Sequence, residues 1–154
     1  MNKSRVIFIE LAIQQKERFT CDITEKFFLN GEKVIIYTAN SQAASSLDRL
    51  LWTWKQDAFI PHLKTEEEDT NVMENVLITS STDSLKNYRE KQVLILYDPL
   101  HYDYWDTYPT VIDFAEIYDP ERHVQSRSRY KKIRDTNNFD MDFMKLGQFL
   151  KSSV

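Results

Sequence analysis

Cysteine occurs once, at Cys21, which rules out an internal disulfide and a zinc site built from several thiolates. Cys21 falls inside a helical pattern, where a small buried or half-buried hydrophobe is the expected role. Glycine occurs only at Gly31 and Gly147. A nucleotide site on a doubly wound sheet places glycines directly after a strand, where the backbone approaches phosphate. Gly31 follows a helical stretch, and the first apolar run leads into Leu11-Ala12-Ile13-Gln14 without one. A sheet that binds no nucleotide or other cofactor is therefore expected. No run approaches membrane-spanning length. The stretch from Met1 to Glu10 holds too short an apolar run for a secretion signal, so a cytoplasmic protein without membrane association is expected. Excess positive charge is also missing: 20 Lys and Arg stand against 24 Asp and Glu, for a net charge of -4. A protein that coats nucleic acid needs a broad basic face.

What remains is an ordinary globular composition, 42% hydrophobic and 29% charged, in a length that fits one domain over residues 1–154. Val6-Ile7-Phe8-Ile9 reads as a buried strand, and Lys16 to Leu29 as a helix closed by Asn30-Gly31. Val34-Ile35-Ile36-Tyr37 is a second strand. Asn40 or Ser41 caps the next helix, which carries Leu47, Leu50 and Leu51. Val76 to Thr79 and Val93 to Tyr97 are two further strands, with a helical or irregular piece around Ser84 to Glu90 between them. Thr110 to Phe114 is expected to be the last strand, followed by a helix with Asp119 as cap and Pro120 as first residue. Ala58 to Leu63 reads as an apolar connection, Lys64 to Asn71 as a solvated loop, and the tail after Asp135 as less regular. Alternating strands and helices at these lengths predict an α/β, Rossmann-like, mostly parallel sheet flanked by helices.

Three constellations carry possible chemistry. Asp98, His101, Asp103 and Asp106 lie close together, but their spacing fits no calcium loop or zinc pattern, and aspartates before Pro109 act as turn residues. No metal site is expected, and a small hydrolase using this loop is a rival reading. His62, behind Pro61, reads as a packed histidine. Trp52 falls on the polar side of its helix, near Ser45 and Asp48. It is either a partner anchor extended by Phe59 or a ring covered by the following loop. The third constellation runs from Arg122 to Arg134 and contains no carboxylate. At about 100° per residue, His123, Arg127, Tyr130, Lys131 and Arg134 share one stripe. This is either a solvated helix face whose basic end suits the macrodipole or a seat for an acidic and apolar ligand. Tyr130 between two arginines, and the lack of acidic partners within the run, favour the seat. Arginine suits bidentate capture of a carboxylate, including a chain terminus.

Two blocks of this sequence resemble the chi subunit of bacterial DNA polymerase III, a component of the clamp-loader complex. One runs from Gly31-Glu32-Lys33-Val34-Ile35-Ile36 through Leu47-Asp48-Arg49-Leu50-Leu51-Trp52 to Phe59-Ile60-Pro61-His62. The other is Val111-Ile112-Asp113-Phe114 followed by Arg127-Ser128-Arg129-Tyr130-Lys131-Lys132-Ile133-Arg134. The likeness is looser from Lys64 to Lys91 and after Asp140. It implies a non-catalytic adaptor in which one surface binds the acidic C-terminal tail of the single-stranded DNA-binding protein. That tail ends in a proline-phenylalanine pair behind several aspartates. The tail-binding positions of the family fall on Arg127, Tyr130, Lys131 and Arg134, with Ile117 as an apolar wall. His123 stands where the family often has a lysine. A second surface, at Trp52, Phe59 and Pro61, would bind the psi subunit or an equivalent protein such as a helicase. DNA would be engaged only indirectly. Direct nucleic-acid binding by the basic helix is the alternative.

Overall fold

The computed structural model describes residues 3–55, 62–64, 75–87, 92–105 and 108–152, with the side chains of 62, 63, 86 and 87 excepted. Among these residues seven strands form one sheet: β1 (Ser4–Leu11), β2 (Val34–Tyr37), β3 (His62–Lys64), β4 (Val76–Thr79), β5 (Val93–Leu96), β6 (Thr110–Glu116) and β7 (Phe139–Lys145). Their order is β3-β4-β2-β5-β6-β1-β7, and every pairing is parallel. Among the described residues, five α-helices and a 3-10 turn at Tyr102–Tyr104 flank the sheet: α1 (Lys16–Leu29), α2 (Ser41–Thr53), α3 (Thr82–Asn87), α4 (Pro120–Asp135) and α5 (Leu146–Lys151).

The central strands β2, β4 and β5 are short and apolar on both faces because both faces are covered. Ile7, Ile9, Val34, Ile36, Val93, Ile95, Ile112 and Phe114 meet Ile23 and Phe27 of α1, Leu47 and Leu51 of α2, and Phe149 of α5. Val6, Phe8, Ile35, Leu94 and Val111 point the other way, toward Leu85 of α3, Trp105, Tyr108 and Ile133 of α4. Two apolar layers thus sandwich the sheet, and α4 lies on the opposite face from α1 and α2.

The caps follow local chemistry. Gly31 takes φ +78° just past α1, a conformation that favours glycine. Asn40 caps α2, its Oδ1 accepting from the Ala43 N–H at 2.8 Å. Cys21 is buried, as expected.

Two expectations fail at the sheet edges. The chain after Asp135 is regular: β7 pairs with β1 from Ser4↔Phe139 to Glu10↔Lys145, and α5 then drives Phe149 into the core beside Phe27. Thr110 to Glu116 is therefore not the last strand. Phe139, Met141 and Phe143 do alternate with Asp140 and Asp142, but aspartate is poor in strands and masked the period. At the other edge, His62–Lys64 is a strand rather than a connection or the start of a loop; three residues are too few to show a period. Ala58 to Pro61 and Thr65 to Asn71 lie outside the described residues. No helix among the described residues is long and apolar enough to cross a membrane.

Candidate functional site

α4 begins where the sequence places it. The Asp119 carboxylate accepts from the N–H groups of Glu121 at 2.9 Å and Arg122 at 3.1 Å, and Pro120 opens the helix. Its sheet-facing side is fixed by buried Ile133 and Ser126, and by Arg129. Arg129 reaches the buried Asp113 of β6 through Nε to Oδ2 at 3.2 Å and Nη2 to Oδ1 at 3.1 Å. Nη2 also donates to the Phe114 carbonyl at 3.1 Å. Burial pushes the Asp113 carboxyl above its ordinary pKa, and the Arg129 guanidinium pulls it back toward ionisation. Arg122 donates to Glu116 at 2.8 Å. Glu116 also accepts from Tyr118 Oη at 2.5 Å and lies 3.5 Å from the buried Lys16 ammonium. Burial alone would raise the Glu116 pKa; the Tyr118 hydrogen bond, Lys16 and Arg122 outweigh it and hold it below the usual value.

The cations of α4 therefore divide by face. Arg122 and Arg129 meet carboxylates of β6, partners that lie outside the helical run and that helix spacing could not reveal. Among the described residues, Arg127 and Lys131 have no acidic partner. Arg134 has only its neighbour Asp135 at 3.5 Å, both well exposed, an arrangement of little energetic weight.

Those three cations border a groove of about 780 Å³ between α4 and strands β6, β1 and β7. Its lining brings together His123, Arg127, Tyr130, Lys131 and Arg134 of the predicted stripe, and adds Phe8, Ala115, Ser126, Ser128 and Phe143. The Tyr130 ring stands edge-on to buried Phe8, with centroids 5.2 Å apart and planes at 77°. The groove thus has an aromatic floor under a cationic rim. Ile117, the apolar wall expected from the resemblance, does not line it. Its backbone N–H is engaged with Leu11 and Ala115 at the strand end. Sequence reasoning missed Phe8 and Phe143. Phe8 was hidden as an ordinary core residue, and Phe143 lay in a tail whose strand went unread.

The profile of the family described as "DNA polymerase III chi subunit, HolC" matches residues 3–139. The chain belongs to the DNA polymerase III chi subunit family. Relatives named DNA polymerase III subunit chi are found in three bacteria. The Haemophilus influenzae protein is 26% identical over 118 residues, 77% of this chain and 79% of its own. The Escherichia coli protein is 23% identical over 118 residues, 77% and 78% of the two chains. The Pseudomonas aeruginosa protein is 38% identical over 48 residues, 31% and 34%. Among solved structures, that of T4 UvsW superposes with a TM-score of 0.60 over 94% of this chain and 42% of the other, at 9% identity. This likeness shows the α/β fold alone.

The remaining predicted positions in this chi-family chain lie elsewhere. Trp52 is 48% exposed on α2, across the sheet from the groove. Phe59 and Pro61 lie outside the described residues, as does Asp106. Asp98 accepts from the Ala39 N–H at 2.7 Å, tying the segment after β5 to the one after β2, and His101 Nδ1 accepts from the Asp103 N–H at 3.2 Å within its own turn. No metal-competent cluster of three or more His, Cys, Asp or Glu side chains exists among the described residues.

Proposed function

We propose that this chain is a non-catalytic adaptor of the replicative DNA polymerase III holoenzyme, within its clamp-loader complex. It would link that complex to coated single-stranded DNA by holding the acidic C-terminal tail of the single-stranded DNA-binding protein. The observation that carries this reading is the groove itself, where Arg127 and Lys131, without acidic partners among the described residues, border the Tyr130–Phe8 aromatic pair. A peptide that ends in phenylalanine behind aspartates matches both halves of that surface. Arg127 and Arg134 take the terminal carboxylate and nearby aspartates, and Tyr130 packs on the terminal ring. His123 extends the rim. The exposed ring of Trp52, on the opposite face, leaves a separate surface for the psi subunit or an equivalent protein. The net charge of -4 and the narrowness of the basic rim disfavour direct nucleic-acid binding.

The test is a titration of a labelled acidic peptide ending in Pro-Phe against wild type and Arg127→Ala. Loss of a charge-assisted contact of about 1.5–3 kcal/mol predicts roughly tenfold or greater weakening. Wild-type affinity should also fall with salt. Equal affinity for both proteins, or none for wild type, overturns the reading. Tight, salt-sensitive binding of bare single-stranded DNA would instead support the nucleic-acid alternative.

A further inference from the structure

We infer that Phe143, on the edge strand β7, is the residue that makes the groove select an aromatic over an aliphatic terminal side chain. The inference rests on the tail-binding reading above. In the β1–β7 register Phe143 stands opposite Phe8, so the two rings project side by side from the same sheet face. Phe8 in turn packs against Tyr130 from α4. The groove is therefore bounded by a ring on its floor, a ring on its helix side and a ring on its strand side. Ala115, small and buried, also lines the groove.

The exposure of Phe143 sets it apart along its own strand. Phe139 is buried and Met141 is half-buried beneath the α4 layer, whereas Phe143 is 51% exposed. Edge strands ordinarily present charge to water, and Asp140 and Lys145 do so here. A phenyl ring in that row lines a groove whose Arg127 and Lys131 have no acidic partner among the described residues, and its exposed apolar surface is available to an occupant of the groove. Aromatic pairs favour edge-to-face or offset contacts at centroid separations of about 4.5–7 Å, a contribution beyond area that an aliphatic side chain cannot match. Phe143 also supplies the apolar wall that Ile117 does not. It lies past residue 139, where the family match ends.

The experiment uses the full chain and two labelled peptides with identical aspartates and a free carboxylate, one ending in Phe and the other in Leu. Wild type should prefer the Phe peptide by about tenfold, Phe143→Leu by about twofold or less, and Phe143→Tyr should retain the preference. Affinity of Phe143→Leu for the Leu peptide should stay close to wild type, which loss of folding would not permit. A tenfold preference retained by Phe143→Leu, or no preference in wild type, overturns the assignment of Phe143 while tail binding stands. Failure of wild type to bind either peptide overturns the tail-binding reading itself.

Discussion

Arg129→Ala tests what holds the groove's helix in place. Asp113 is 2% exposed on its side chain and Arg129 is 22% exposed, so the pair is largely withdrawn from water. The substitution removes three hydrogen bonds from Arg129 and leaves the Asp113 carboxylate with the Phe114 N–H, at 2.7 Å, as its remaining hydrogen-bond donor among the described residues. Breaking one side of a buried pair costs about 3–5 kcal/mol, and partial access of water to Arg129 places the expected loss near the lower end, at about 3 kcal/mol. For a chain of this size that corresponds to a fall in melting temperature of about 6–12 °C. The loss depends on pH in a fixed sense. Burial already raises the Asp113 pKa in the fold, with Arg129 opposing, so removing Arg129 raises it further. A group with a raised folded pKa stabilises fully below its unfolded pKa and loses that contribution as pH rises through the folded one. The deficit is therefore largest at neutral pH and shrinks as pH falls toward the ordinary aspartate range. Urea unfolding at neutral and mildly acidic pH measures it. A deficit below about 1 kcal/mol at neutral pH, or one that does not change with pH, would refute the reasoning. Replacing both partners with leucine should recover most of the loss, since an apolar pair leaves no stranded charge.

Other outcomes follow from the same contacts. Burial, with Asp22 and Glu17 adding to it, pushes the Cys21 thiol up to about 12. The native protein should therefore resist a thiol-reactive dye at pH 8 and react in step with unfolding; rapid native labelling would contradict the burial. Glu116, held below its usual pKa, contributes stability above its unfolded pKa and loses it as pH falls through the folded one. Glu116→Gln should cost about 2 kcal/mol at neutral pH and flatten the acid limb of the stability profile, and an acid limb as steep as that of wild type would argue against the network. Trp52→Ala should leave the tail-peptide affinity within about twofold of wild type, because the ring lies across the sheet from the groove; a large loss in the peptide titration would show that the two faces are coupled.

The legible parts of this fold are those where local chemistry and tertiary packing agree. Lys16–Leu29 and Val34–Tyr37 follow directly from spacing, since both are buried on a core face and bounded by strong stop signals at Gly31 and Asn40. The parallel sheet follows from the alternation of strand and helix. The edges were illegible for a common physical reason. β3 has only three residues and β7 buries little, so their sequences carry less of the periodicity that longer, buried strands show. β7 in particular takes its place from pairing with β1 and from the anchoring of Phe149 in the core, neither of which its own residues announce.

The same divide runs through the groove. Helix periodicity suffices to align His123, Arg127, Tyr130, Lys131 and Arg134, because all five sit on one element whose cap and first residue are plain in the sequence. It cannot say which cations of that helix are satisfied, because their partners, Asp113 and Glu116, come from a strand that precedes it. The basic run thus serves two ends. Arg122 and Arg129 anchor the helix to the sheet, and the cations one turn away are left to border the groove. The apolar half is assembled from three separate stretches of chain, with Phe8 on β1, Ala115 on β6 and Phe143 on β7, joined only by the sheet register. A single-element pattern therefore finds the cationic rim, while the rings beside it become visible only when the strands are paired.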